Sequence, residues 1–196
     1  KQKKDLELPF TINLHAGWAW RVEFHNMLKA HGGKWLNDDS TPAFNGPEGV
    51  KAVEKILEIV NACMGQEGLT WSIDDTEIGL ETGTLASANT WASRAANMDN
   101  PDKSKFVGKI GFAPAPRAVP GGPHAGPAAA DFYVIPATTN VDRYLEAALA
   151  TIANGAGNYG TNPAVALART AIENNLPKVA TGELTPQQAL DLAAQQ

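Results

Sequence analysis

The sequence has one cysteine, few basic residues and no long apolar run, and each shortage narrows the class of protein. Cys63 has no second cysteine in the chain, so no internal disulfide can form. The 16 Lys and Arg residues against 21 Asp and Glu give a formal net charge of -5. That balance argues against nucleic acid or an anionic membrane as a partner. No stretch approaches the roughly 18 consecutive apolar residues of a membrane span.

The residue clusters that metal, nucleotide or nucleophilic chemistry requires are also lacking. The four histidines stand at no metal-ligand spacing, and the glycine-rich loop at 120–127 is not followed by Gly-Lys-Ser/Thr. The run "NDDSTPAFNGPE" imitates a calcium loop until Pro42 stands where glycine is required. No Gly-x-Ser-x-Gly elbow is present. The sequence therefore predicts no cofactor, no metal site and no catalytic residue.

Strand and helix patterns alternate along the first two thirds of the chain. Glycine, proline and capping residues separate them, which sets the expected boundaries. The first patterns along the chain predict a strand at 8–14, a helix at 18–31 closed by Gly32-Gly33, and a hairpin at 34–45. Two helices follow: one is capped by Asn45 and runs from Pro47 to Gly65, and the other runs from the acidic cap at 74–77 to Gly79 or Gly83. Strands are then predicted at 85–89, 109–113 and 131–135. We expect these last three strands to share one sheet flanked by the Pro47 helix.

Beyond residue 140 the composition shifts to alanine and helix. Helices are predicted at 141–154, 163–174 and 186–194, the last with Thr185 and Gln188 as a capping box. Strands interleaved with helices and followed by a helical tail indicate the α/β class, with an α/β unit at 1–140 and a helical tail at 141–196 that completes it. The chain opens without Met or a signal peptide, so we expect a part of a longer protein.

Five motifs in one order give the chain a resemblance to a known family. They are "MLKAHGGKWLNDDSTPAFNGPEGVKAVEKILEIV", "LTWSIDDTEIGLETGTLASANTW", "KIGFAPAPRAVPGGPHAGPAAADFYVIP", the helix after "IP" and the terminal "ATGELTPQQALDLAAQQ". Together they cover about 180 residues. In this order the chain resembles the C-terminal half of extracellular solute-binding proteins of family 1, the sugar-binding components of ABC importers.

The resemblance implies a fold, a function and partners. The fold would be a periplasmic-binding-protein-like (type II) lobe with a short-stranded sheet, flanking helices and a helical C-terminal tail. The protein would capture a sugar or related small polar solute between two lobes, deliver it to ABC permease subunits, and lie in the periplasm or outside the cell. Residues 141–154 would belong in part to the missing N-terminal lobe. The family usually has glycines where Ala129-Ala130-Asp131 stand, so the identity of the bound sugar stays open.

Tryptophans are the aromatic candidates for a ligand site, because flat rings pack against the apolar faces of sugars. Trp18 and Trp20 are two positions apart at a strand-to-helix junction, and either one of them lines a cleft or both pack internally. Trp91 ends a strand of small residues, and in the family the matching tryptophan faces the ligand. Its alternative is a core position. Trp35 and Trp71 fit hairpin and core positions better.

Polar candidates would satisfy the hydroxyls of a bound sugar. Asp131 opens a predicted strand, where its carboxylate could accept two hydroxyl bonds, with Phe132 beside it. The alternative for Asp131 is a loop cap. Arg21 and Asn89 are weaker candidates, because a solvated helix face and a turn explain them as well.

Two other functions remain open on sequence grounds. One is a carbohydrate-active enzyme using Asp131 and one of Asp74, Asp75 or Glu81 as a carboxylate pair. Helix caps and first-turn charges already explain the last three, so we expect no enzyme. The other is a helical interaction module built on the alanine-rich tail, which would not need the tryptophans.

Overall fold

The computed structural model describes residues 6–126 and 162–196 of the chain. The predicted strand at 131–135 and helix at 141–154 lie outside these residues. The described helices are α1 (Trp18–Ala30), α2 (Pro47–Ile59), which continues as a π-helical turn (Val60–Met64), α3 (Gly65–Gly68), α4 (Ile73–Thr82), a 3-10 turn (Ala92–Arg94), α5 (Ala95–Met98), α6 (Ala164–Asn175), α7 (Pro177–Ala180) and α8 (Pro186–Ala194).

The main hydrophobic core lies between α1, α2, α6 and α8. Trp20 and Phe24 of α1 meet Ile56 of α2, Ile172 of α6 and Leu190 of α8, each at most 3% exposed. Phe24 also packs edge-on against Trp35, with ring centroids 5.5 Å apart. Buried aromatic and branched side chains of this kind supply most of the hydrophobic stabilisation of a domain.

Helix ends follow the predicted caps at several places. Gly32 takes a left-handed φ of 79° just after α1, and Gly83 takes one of 84° just after α4. Of the two predicted ends of α4, Gly79 and Gly83, the helix therefore ends at the later one. Thr185 and Gln188 form the predicted capping box of α8. At α4 the cap is Ser72 with Asp75 as its partner, so the helix begins near the predicted acidic residues.

The start of α2 differs from the prediction. Gly46 is the N-cap and gives no side-chain bond, whereas the Asn45 amide donates to Asp191 Oδ1 of α8 at 3.1 Å. A long-range partner therefore takes the side chain that local rules assign to the cap. The helix does end at Gly65, whose φ is 61°, but its last turn is π-helical over Val60–Met64.

Two distant segments of the chain pair in parallel. Leu8 bridges Leu85, and Thr11 bridges Ala88, so residues 8–11 lie beside residues 85–88. The predicted hairpin is present as an antiparallel bridge between Leu36 and Pro42. Residues 109–113 lie in neither a helix nor a strand. The shared sheet of 85–89, 109–113 and 131–135 stays a prediction.

An ion network holds α5 and the turn before it against α4. Arg94 bonds Glu77 Oε2 at 2.7 Å and Asp74 Oδ1 at 2.9 Å. The Asn97 amide also donates to Glu77. Glu77 is 6% exposed, so its charge is compensated in place rather than solvated.

Candidate functional site

The chain leaves the two parallel segments, 8–11 and 85–88, at the same end of the pair. Thr11 N donates to Ser87 O at 3.2 Å, and Asn89 N donates to Thr11 O at 3.1 Å. Since both segments run the same way, the residues that follow each of them emerge at the same, carboxyl end. In α/β folds the crevice outside the carboxyl ends of parallel strands is where ligands bind. We call the surface formed by His15, Trp18, Asn89, Thr90 and Trp91 the strand-end face.

Three rings make contact across the strand-end face. Trp18 packs edge-on against Trp91 with ring centroids 5.3 Å apart and an interplanar angle of 65°. His15 packs edge-on against Trp18 at 5.0 Å and 81°. All three side chains are only partly buried. Mutual edge contacts hold the indoles in place while leaving aromatic surface open, which suits the apolar C–H faces of a sugar or polyol.

Polar atoms without a partner lie on and around the same face. His15 Nδ1, Thr90 Oγ1 and His124 Nε2 are buried, and within residues 6–126 and 162–196 they have no hydrogen-bond partner. The Asn89 amide, bonded to Ala125 O at 3.3 Å, ties the residue after His124 to the face. An unsatisfied buried polar atom costs about 1–3 kcal/mol. A bound polyhydroxylated ligand would remove that cost.

The amino end of α1 lies beside these rings, since Trp18 is its first residue. Its N-cap is Gly17, with φ of 95°, which has no side chain to cap the first backbone N–H groups. The positive end of the helix dipole therefore lies next to the aromatic surface, where it favours an electronegative oxygen.

The other predicted site residues lie in several places. Trp20 is 3% exposed within the hydrophobic core, so of the two tryptophans at the junction only Trp18 is partly exposed. Arg21 forms an ion pair with Glu173 of α6 and is engaged in joining two helices. Asn89 lies on the strand-end face, with its amide held by Ala125. Asp131 and Phe132 lie outside the described residues.

The acidic residues of the enzyme alternative have local structural partners. Asp74 pairs with Arg94, and Asp75 accepts the backbone and side-chain bonds of Ser72 that make up the cap. The Ser72 hydroxyl, then its N–H, hold the pKa of Asp75 below its usual value. Burial, followed by the nearby charge of Glu77, raises the pKa of Glu81.

Sequence reasoning missed two residues of the strand-end face, His15 and Thr90. They come directly after the predicted strands at 8–14 and 85–89, so the alternating pattern and the small-residue run contained the signal. His15 reads in sequence as a structural or solvated histidine because it has no metal-ligand neighbour. His15 contacts Trp18 locally, three residues along the chain, and the parallel pairing brings Trp91 against Trp18.

A surface groove of about 430 Å³ lies at the opposite end of the parallel pair. Its lining includes Glu7 and Thr84, which precede the two paired segments, together with Trp71. None of its lining residues has a buried, unpartnered polar side-chain atom. The strand-end face, with aromatic surface and unsatisfied polar groups together, is the better candidate for a ligand site.

Over residues 6–126 and 162–196, no group of three or more His, Cys, Asp and Glu side chains is arranged to hold a metal ion. In the same residues no helix is long and apolar enough to cross a membrane. The strand-end face therefore offers rings, hydrogen-bonding groups and a helix terminus as its chemistry.

Comparisons with known proteins place the fold in the periplasmic-binding-protein-like (type II) class. No protein-family model matches the chain. The chain superposes on maltose-bound MalE3 of T. maritima with a TM-score of 0.74 at 15% identity, over 95% of this chain and 59% of that one. A solute-binding protein of an ABC transporter from Agrobacterium vitis S4, with bound D-mannitol, gives a TM-score of 0.70 at 16% identity over 98% of this chain and 60% of that one.

Another such protein, from Agrobacterium radiobacter K84 in complex with ribitol, gives a TM-score of 0.64 at 20% identity over 97% of this chain and 59% of that one. In sequence the chain is 27% identical, over 92 residues, to a probable amino-acid ABC transporter periplasmic-binding protein, y4oP, of Sinorhizobium fredii. That match covers 47% of this chain and 21% of the relative. The chain thus spans about three fifths of its structural neighbours and a fifth of its curated relative.

Proposed function

We propose that this chain is the C-terminal lobe of a family 1 solute-binding protein, which captures a sugar or polyol in a cleft and delivers it to an ABC importer. The observation that carries the proposal is the strand-end face itself. Trp18 and Trp91 present aromatic surface there, beside the unpartnered atoms of His15 and Thr90. The structural neighbours, which include mannitol-bound and ribitol-bound proteins, support the assignment.

The described charges favour a neutral ligand over an amino acid. A zwitterion needs a cationic partner for its carboxylate and an anionic one for its ammonium group. The arginines nearest in sequence to the strand-end face are Arg21 and Arg94, and both are engaged in ion pairs with acidic side chains. The Sinorhizobium fredii relative is named as a probable amino-acid ABC transporter periplasmic-binding protein, so amino-acid binding is the competing hypothesis for the test.

Capture by one lobe requires a second surface. A polyhydroxylated ligand resting on the strand-end face would have its other side exposed to water, and the affinity of buried sites depends on enclosing most of the ligand. We propose that the missing N-terminal lobe closes over this face by a hinge motion. Permease subunits would then meet the closed protein at the membrane, in the periplasm or at the cell exterior.

The test is ligand binding by the full-length protein. Intrinsic tryptophan fluorescence and calorimetry would be followed while ribitol, D-mannitol, D-tagatose, maltose and a panel of amino acids are added. We expect saturable binding of at least one sugar or polyol, and weaker binding after Trp91→Ala than after the matched Trp71→Ala in the distant groove. Binding of amino acids alone, or turnover of a sugar into products, would overturn the proposal.

A further inference from the structure

Glu23 is an acidic side chain buried inside the lobe and unused by the contacts above. It lies on α1 and is 3% exposed. Its Oε1 accepts a bond from Asn13 N at 3.3 Å, and its Oε2 accepts one from Asn26 Nδ2 at 3.2 Å. Burying a carboxylate is costly, and these two bonds offset only part of the cost of the charged form.

The bond to Asn13 reaches toward the strand-end face. Asn13 stands two residues after the end of the paired segment and two before His15, whose ring contacts Trp18. The single hydroxyl proton of Thr76 on α4 is shared between Ser72 O at 3.0 Å and Asn13 Oδ1 at 3.3 Å. Asn13 is therefore held between α1 and α4 at the point where the chain enters the loop that carries His15.

The cluster has two possible hydrogen-bond arrangements. With Glu23 ionised, Asn26 donates through Nδ2, which leaves the buried Asn26 Oδ1 without a partner. With Glu23 protonated, the Asn26 amide can turn over so that Oδ1 accepts the carboxylic O–H. Each protonation state therefore has a matching orientation of the same amide.

We propose that Glu23 is a positioning residue for the strand-end face, and that its protonation state sets how firmly Asn13 is held and thereby tunes ligand affinity. The inference rests on the proposed function. The ionised carboxylate accepts the Asn13 N–H in a charge-assisted bond, which is roughly twice as strong as a neutral one. The loop that carries His15 is then better ordered before the ligand arrives, so the ionised form binds more tightly.

The acid changes charge in a useful range. Burial raises the pKa of Glu23 from 4.5 to about 7, against the opposing effects of the bonds from Asn13 and Asn26. The other ionisable groups on the surrounding elements are His15 before α1, Arg21, His25 and Lys29 on α1, Glu48, Lys51, Glu54, Lys55 and Glu58 on α2, Asp74, Asp75, Glu77 and Glu81 on α4, and Arg169 and Glu173 on α6. Of these, the imidazole of His15 is the rival source of a pH effect, because it lies on the face itself.

The experiment measures affinity and proton exchange in the full-length protein between pH 5.5 and 8.5. The probe is the tightest-binding compound among ribitol, D-mannitol, D-tagatose and maltose. We expect affinity about threefold higher on the alkaline side and, by linkage, net proton release on binding near pH 7, measured calorimetrically in buffers of different ionisation enthalpy. In the ligand-free protein, the Asn26 side-chain amide signals in NMR spectra should shift with the same midpoint.

Variants separate Glu23 from the other groups. Glu23→Gln should show the low-pH affinity of the wild type at every pH and release no proton, whereas Glu81→Gln and His15→Gln should keep the dependence. Asn26→Ala should move the midpoint to higher pH, because the ionised form loses the stronger bond. If Glu23→Gln does not fold, the Asn26→Ala midpoint and the wild-type NMR titration decide the matter.

The outcomes for this inference and for the proposed function are distinguishable. Saturable binding with the same affinity across the pH range, or a pH dependence lost only in His15→Gln, overturns the role of Glu23 and leaves the proposed function standing. Failure of every probe to bind at any pH overturns the proposed function and the inference with it.

Discussion

The helical core and the strand-end face both contain tryptophan, but the core encloses its ring whereas the face leaves its rings partly exposed. In the core, Trp20 and Phe24 are enclosed at 3% and 0% exposure. On the face, Trp18 and Trp91 are only partly buried, and the neighbouring His15 and Thr90 have unpartnered polar atoms. Trp18 and Trp20 are two residues apart on one helix. A turn of about 200° around the helix axis therefore separates a residue that stabilises the core from one that stays partly exposed at the surface.

The largest expected effect tests the core side of this comparison. Trp20→Ala should lower the free energy of unfolding by about 3–5 kcal/mol, because it removes a large buried ring and leaves a cavity. Trp18→Ala is the matched control and should cost only about 1 kcal/mol. Chemical denaturation of both variants measures the difference. Equal losses in the two variants would show that the face is part of the core.

The next effect is a pH dependence of stability that arises from Glu23. Because its pKa is raised from 4.5 to about 7 by burial, the folded state holds this proton more tightly than the unfolded state does. Its contribution to stability is complete below about pH 4.5 and is lost as the pH rises through 7, a loss of roughly 3 kcal/mol. Denaturant unfolding at pH 5 and pH 8 should show this loss in the wild type and a flatter profile in Glu23→Gln. An unchanged profile in the variant would assign the dependence to another group.

A smaller effect tests the face. Trp91→Ala in the full-length protein should weaken sugar or polyol binding by about 1–3 kcal/mol, as expected for an aromatic anchor at a recognition site. Its stability should change less than that of Trp20→Ala. Calorimetric titration and thermal unfolding of the same sample give both numbers. Strong destabilisation with unchanged affinity would place Trp91 in the core and the site elsewhere.

The smallest effect compares two capping boxes. Ser72→Ala and Thr185→Ala should each cost about 1 kcal/mol of stability, since each removes a side-chain bond to an N3 backbone N–H. Only Ser72→Ala should also reduce ligand affinity, because α4 holds Asn13 through Thr76. Parallel unfolding and binding measurements check this. An equal loss of affinity in Thr185→Ala would mean that both act through overall stability.

Local chemistry predicted the helices better than it predicted the site. The helix ends at Gly32 and Gly83 are determined by residues close in sequence, and so is the capping box of Thr185 with Gln188. Such local features can be recognised from sequence alone. The bonds of Asn45 to Asp191 and of Arg21 to Glu173 join residues about 150 positions apart, and no periodic pattern records such partners. Membership of the strand-end face depends on a parallel pairing of the same long-range kind. The sequence therefore pointed to Trp18 and Trp91 separately but could not show that the two rings are in contact.

The parallel pair also has a consequence for the order in which the lobe assembles. Ser87 Oγ donates to Pro9 O at a sequence separation of 78 positions, so closing this contact costs far more chain entropy than forming α2. Contacts of such high sequence separation slow folding and tend to form late. We therefore expect the binding surface to be completed near the end of folding. In pulse-labelled hydrogen exchange, the amides of Ala86 and Asn89 should gain protection after those of α2.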